Sequence, residues 1–390
     1  MVYLFRQWLE IRVRNATGIQ IMSLRTNTTG ISGIIFLMLS LSVFPQGYKV
    51  TGNVTEWRTG LPISLATVYI NGTSLGTITD NLGNFHLDHV ILPCELILSH
   101  VSYQVKRIPL MDSAQLTGLQ LEMENRVVEL QEATVTHKDL HEEYLRRFKQ
   151  WFLGKNYEKQ HAEILNDSVL LFQIMEDDQF TAEATEPLKI HLPVTGYLLS
   201  VDLVHFELRY REEMQGYHCS ILGYYYFEPQ RVTNSREQRT IARARVEAYY
   251  NSSMHFCKSL YHNQLRENGY LLESYCGEEA GNTGHPAPGP DFVGSYGSDE
   301  YGNTRLLLTR IKCPVFRITY HFNSRNRPVD LTYLDWNPSR IKWSGLQFLR
   351  DSVYIYPSGR IPENDILFSG SIGDKRIAFM LPEDYIPSMQ

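Results

Sequence analysis

The chain has 390 residues, of which 43% are hydrophobic and 21% charged, with a formal net charge of −6. That length favours two domains, each able to bury a core. The acidic balance excludes the basic stripe with which a nucleic-acid binder displaces counterions from phosphate. The 24 tyrosines, 17 phenylalanines and 26 glycines favour strands over a helical bundle.

The longest apolar run is Ile31–Phe44, shorter than the ~20 residues that a membrane-crossing helix needs. Arg25 precedes it and Pro45-Gln46-Gly47 follows, the layout of a secretory signal peptide with Met22 as an attractive start. A short membrane anchor is the alternative. Residues 1–47 are therefore read as an N-terminal extension and signal peptide, placing the protein in the periplasm or at the outer membrane. The five cysteines (Cys94, Cys219, Cys257, Cys276 and Cys313) form no C-x-x-C pair, so neither a zinc ribbon nor a thioredoxin-like motif is supported.

From Tyr48 onward, short strands alternate with turns. Strands are predicted at Tyr48–Val54, Ala66–Ile70, Gly76–Thr79, Phe85–Leu87, Glu95–Val101 and Lys106–Leu110. Thr59–Pro62, the hairpin signal Asn71-Gly72 and Asp80–Asn84 supply the turns. Spacing of this kind indicates a small all-β sandwich over residues 48–122. Residues 123–150 read as a linker running into an amphipathic helix, Lys138–Phe152, with Leu140, Tyr144, Leu145, Phe148, Trp151 and Phe152 on one broad apolar face. Residues 151–390 read as an α+β domain. Its strands are expected at Leu170–Gln173, Phe180–Thr185, Tyr197–Glu207, Leu222–Phe227, Arg305–Ile311, Arg317–Phe322 and Val353–Tyr356. A helical stretch opens at Ser235, with Gln238 completing a capping box, breaks at Asn251-Ser252-Ser253 and runs on to about Arg266, ending before Gly269. Glu278–Gly302, rich in Gly, Pro and Ser, reads as a long surface loop.

Val50–Val54, Thr59–Pro62, Ala66–Ile70, Gly72–Asp80, Gly83-Asn84-Phe85 and Leu98–Tyr103 together resemble the carboxypeptidase regulatory-like domain. The resemblance implies a seven-strand-type, Ig/prealbumin-like β-sandwich. Val127–Val135 resembles the tail that follows this domain in TonB-dependent outer-membrane receptors. The remaining chain is too short for the receptors' 22-stranded barrel at roughly 10 residues per spanning strand plus loops. More loosely, Trp151–Gly154, Ile164–Asn166, Glu186–Leu188, Ala248–Phe256 and Arg376–Tyr385 resemble a bacterial group of envelope proteins carrying the same module, which implies shared architecture and export.

Catalytic constellations are sought and not found. Gly72-Thr73-Ser74-Leu75-Gly76 fits the G-x-S-x-G nucleophile elbow, but that elbow needs a strand-to-helix turn and this one lies between strands. Neither H-E-x-x-H nor H-x-x-E occurs: His141-Glu142-Glu143 is followed by Leu145 where a zincin has histidine, and His86 and His89 have no third ligand nearby. His255 and His262, with Arg245 and Tyr249, suit a helix interface better than a pocket. Tyr224–Phe227 suits strand packing better than a sugar platform. Glu176-Asp177-Asp178 reads as a solvated turn. No catalytic residue, metal ligand or cofactor is assigned, and no binding residue is singled out. The expectation is an exported, non-enzymatic cell-envelope protein that binds or scaffolds an envelope protein or glycan. The alternative is an envelope hydrolase of glycan or peptide, with Glu278–Gly302 as its lid.

Overall fold

Val50 and Val54 are fully buried in Tyr48–Glu56 (β1), with less buried neighbours between them, the period of two that a half-buried strand requires. The computed structural model describes residues 14–15, 18–19, 47–126, 138–175, 179–212, 216–274, 287–288, 292–298, 304–309, 311, 314–332, 340–361 and 365–387. Two compact units meet in sequence between Phe44 and Pro45. In the first, the described residues are one antiparallel pair, Arg14–Asn15 with Gly18–Ile19. The signal-peptide reading and the receptor-like tail fall outside the described residues.

The sandwich continues with Thr67–Ile70 (β2), Gly76–Ile78 (β3), Asn84–Val90 (β4), Cys94–Ser99 (β5), Lys106–Leu110 (β6) and Leu119–Met123 (β7). Its sheets run β4-β1-β7 and β3-β2-β5-β6, and they close over Val50, Val54, Val68, Leu87, Leu96, Leu98 and Met123. Each such side chain contributes roughly 1.5–3 kcal/mol on burial. β7, which the sequence patterns did not single out, pairs parallel to β1. Asn71-Gly72 does lie between β2 and β3, but the loop runs from Asn71 to Leu75 instead of forming a two-residue turn. Its polar groups are engaged elsewhere.

Lys138–Phe152 (α1) forms as predicted. It buries Tyr144, Phe148 and Phe152 in a core with Phe180 and Phe206. The sheet beneath comprises Glu163–Ile164 (β8), Leu170–Ile174 (β9), Phe180–Ala184 (β10), Leu188–Leu192 (β11), Tyr197–Arg211 (β12) and Gly216–Pro229 (β13). β12 pairs with β11 through its first part, with β10 through its second, and with β13 along both. A register shift between Leu203 and His205 marks a bulge, which bends the long ribbon.

Ser235–Tyr249 (α2) is capped by Asn234, whose side chain accepts from the Arg236 amide at 2.9 Å, so the cap is one residue earlier than the capping-box reading. Gln238 instead donates to the Val232 carbonyl. The helix breaks at Asn251, where φ is +57°, and restarts as Ser253–Tyr261 (α3) under a Ser252 cap. A five-stranded sheet follows, from Tyr270–Ser274 (β14), Ala287–Pro288 (β15), Val315–His321 (β18), Ile341–Phe348 (β19) and Ile366–Ser369 (β21). A smaller one joins Val293–Ser298 (β16), Thr304–Thr309 (β17) and Val353–Ile355 (β20). β15 and β16 lie within the stretch expected to be a loop; other parts of it lie outside the described residues. Phe256, Tyr270, Phe316, Ile318 and Phe348 belong to a core separate from the one beneath α1. The fold is thus strand-rich, a β-sandwich followed by an α+β region, as expected. Among the described residues no helix is long and apolar enough to cross a membrane.

Candidate functional site

The G-x-S-x-G segment turns out to be adhesive. Gly72 N donates to Tyr225 O at 2.8 Å and Phe227 N to Thr73 O at 3.0 Å, so the β2–β3 loop adds a parallel bridge to the edge of β13. Asn71 Oδ1 accepts from Tyr225 N at 2.9 Å. Ser74 Oγ donates to Asp384 Oδ2 at 2.6 Å; its partner is a carboxylate and not the imidazole base of an elbow. The glycines make the fit. Gly72 has φ +75°, and a Cβ there would fall 2.9 Å from Glu383 Oε1. A Cβ on Gly76 would fall 2.4 Å from the Tyr226 ring, which stacks on Tyr69 at 5.3 Å.

Two carboxylates are enclosed in this seam. Asp202 of β12 accepts from Tyr69 Oη at 2.6 Å and from Ser99 Oγ at 2.7 Å. Burial pushes its carboxyl up, against the pull of the two hydroxyls and of Lys189 and Arg126. Burial likewise raises Glu383 to about 7, although Arg360, Ser358 and Lys258 all favour its charged form. The Glu383 residue as a whole is only partly covered; its carboxyl group is the enclosed part. Glu95 completes the seam, paired with Arg107 at 2.8 Å and accepting from Asn71 Nδ2 at 2.8 Å.

The segment after Gly370–Gly373 (α4) straps these parts together. Lys375 Nζ donates to the carbonyls of Glu247 at 2.9 Å, Ala248 at 3.1 Å and Tyr250, occupying the open C-terminal end of α2. Burial and nearby Lys342 lower its pKa to about 7, against the pull of the Glu247 carboxylate. Arg376 donates to Trp151 O, and Ala378 N to Leu153 O at 3.0 Å. Gly154, with φ +106°, lets the strap lie close, since a Cβ there would fall 3.2 Å from Arg376 Cβ.

Beside the strap lies a cleft of about 500 Å³ between α1, the start of β13 and the β19–β21 pair. Trp151 and Tyr217 form aromatic walls, with centroids 6.4 Å apart and planes at 56°. The Arg376 guanidinium lies 5.3 Å over the Trp151 ring. Cys219, also lining the cleft, is raised to about 11 by burial in spite of Arg376. Among the described residues Asp374 is the one carboxylate lining it.

The residues weighed from sequence scatter. Tyr226 and Tyr225 enter the seam and Phe227 the core beneath α1. His255 is buried, 2.8 Å from Tyr270 Oη and ringed by Tyr249 and Tyr250, and burial lowers it to about 3. His262 sits exposed past the end of α3, and Arg245 instead donates to Thr195 O and Gly196 O. His86 pairs with Asp88 at the surface. Residues 176–178 lie outside the described residues, as do Cys276 and Cys313; Cys94, Cys219 and Cys257 are free. Among the described residues no three His, Cys, Asp or Glu side chains are grouped to hold a metal. Sequence patterns do not single out Asp202 or Glu383. A lone aspartate in the apolar stretch Leu198–Phe206 is the available signal for the first.

The family model described as CarboxypepD_reg-like domain matches residues 50–135, which bears out the resemblance read from the sequence. No curated protein matches the chain. A crystal structure from Bacteroides fragilis, of a protein described as membrane-associated and of unknown function, is 8% identical, covering 71% of this chain and 91% of that one. Its TM-score of 0.16 is too low to carry an argument about fold.

Proposed function

We propose that this protein is an exported, non-enzymatic cell-envelope binding protein. Its regulatory-like sandwich is a fixed brace, and the cleft beside the C-terminal strap is the recognition site. The observation that carries the reading is the cleft itself: about 500 Å³, walled by Trp151 and Tyr217 and edged by charged and amide side chains. Ligand sites are concave and largely apolar, with a few placed polar groups. Export is supported by the signal-like residues 22–47 and by the module shared with outer-membrane receptors. A glycosidase needs two carboxylates roughly 5–10 Å apart, and Asp374 stands without a second in the described lining, which favours binding over hydrolysis.

A photo-crosslinking amino acid at position 217 tests this in cells, with one at exposed Glu163 as control. The reading expects a saturable adduct from position 217 alone, in the envelope fraction. Identical labelling from both positions, or none from either, refutes it.

A further inference from the structure

Resting on that reading and naming its ligand, we infer that the cleft between α1, β13 and β21 binds an oligosaccharide that carries an acidic group. The walls come first. Trp151 is partly exposed and Tyr217 is 38% exposed, and both line the cleft. A sugar ring offers apolar C–H faces and a hydroxyl rim, which suits aromatic walls that are apolar on the face and polar at one end.

The rim is of the matching kind. Gln150, Gln347 and Ser369 line the same cleft. Amides and hydroxyls both donate and accept, as a ring of sugar hydroxyls demands. Charge then sets the ligand's sign. Lys155 and Arg376 border the cleft against one carboxylate, Asp374. Lys155 is exposed. Arg376 donates to the Trp151 carbonyl, hydrogen-bonds Cys219 and stacks on the Trp151 ring, which fixes the guanidinium at the edge of the cleft. The volume falls within the roughly 300–1,000 Å³ of small-ligand sites.

An extended peptide added to the β21 edge fits less well. A Cβ on Gly373 would fall 2.4 Å from Phe368 O, so α4 already covers that edge. The glycines of the cleft floor serve such backbone contacts: a Cβ on Gly370 would meet Trp343 O at 2.7 Å.

The test is calorimetric titration of the purified full chain, with tryptophan emission in parallel, using trigalacturonate and 3′-sialyllactose as acidic sugars. Maltotriose is the neutral probe and triglutamate the acidic peptide. At least one acidic sugar should bind saturably, about tenfold more weakly in Lys155→Glu and in Tyr217→Ala. Both residues are exposed, so an unchanged Tm shows that the variants fold. Equal binding of maltotriose overturns the acidic requirement, and equal binding of triglutamate overturns the sugar. If neither acidic sugar binds, the ligand class falls: an adduct from position 217 in cells then leaves the binding reading standing, and no adduct takes both down.

Discussion

Replacing Glu383 with glutamine should expose a compensation between two buried groups that titrate in opposite senses. Glu383 is raised from an ordinary 4.5 to about 7 in the folded protein. The folded state therefore holds its proton more tightly than the unfolded chain. That stabilisation is complete below 4.5 and is lost as pH rises through about 7. His255 is lowered from 6.5 to about 3. It stays neutral when folded, so its contribution is full above 6.5 and is lost as pH falls toward 3. A tenfold difference in proton affinity between the folded and unfolded states corresponds to about 1.4 kcal/mol. Between pH 8 and pH 5, Glu383 adds about 2.5 kcal/mol and His255 removes about 2 kcal/mol. The two nearly cancel. In Glu383→Gln the first contribution is gone, so the difference in unfolding free energy between variant and wild type should move by about 2.5 kcal/mol over this range, against the variant at pH 5. Asp202, raised in the same sense as Glu383, drops out of that difference. Urea unfolding followed by tryptophan fluorescence at pH 5, 6, 7 and 8 reads it. Parallel pH curves for the two proteins would refute the burial of this carboxylate.

Gly72→Ala places a methyl against Glu383 on a left-handed backbone, and should cost about 1–3 kcal/mol; limited proteolysis should then cut first in the loop from Asn71 to Leu75. Asp202→Leu leaves the Tyr69 and Ser99 hydroxyls without their acceptor, at about 1–3 kcal/mol each, and hydrogen exchange should speed up in β2 and β5. Phe148→Ala removes a fully buried ring from the core beneath α1 and should cost about 3–5 kcal/mol. An unchanged urea midpoint would place that ring outside the cooperative core.

Much of the sandwich was legible because each strand carries its own alternation and each turn its own chemistry. Val50 and Val54 mark β1, and Asp80, whose side chain accepts from the Leu82 and Asn84 amides, marks the turn before β4. Helix α1 was legible from the spacing of Tyr144, Phe148 and Phe152. The seam was not. Asn71-Gly72 reads locally as a tight hairpin, and only the arrival of Tyr225 and Glu383, from far along the chain, turns it into a clamp. The cleft was hidden for the same reason: Trp151 looks like one more apolar helix residue until Arg376 and Tyr217 come alongside it. Local periodicity records which face of an element is buried. It does not record what meets that face, nor which polar group completes a cap, as Asn234 does in place of Ser235.

Export to the envelope underlies the whole functional account, and fractionation of native cells with N-terminal sequencing of the mature chain tests it most directly. The account predicts a mature N-terminus near Gly47, recovered in the periplasmic or outer-membrane fraction. An intact N-terminus on protein recovered from the cytoplasm would contradict it.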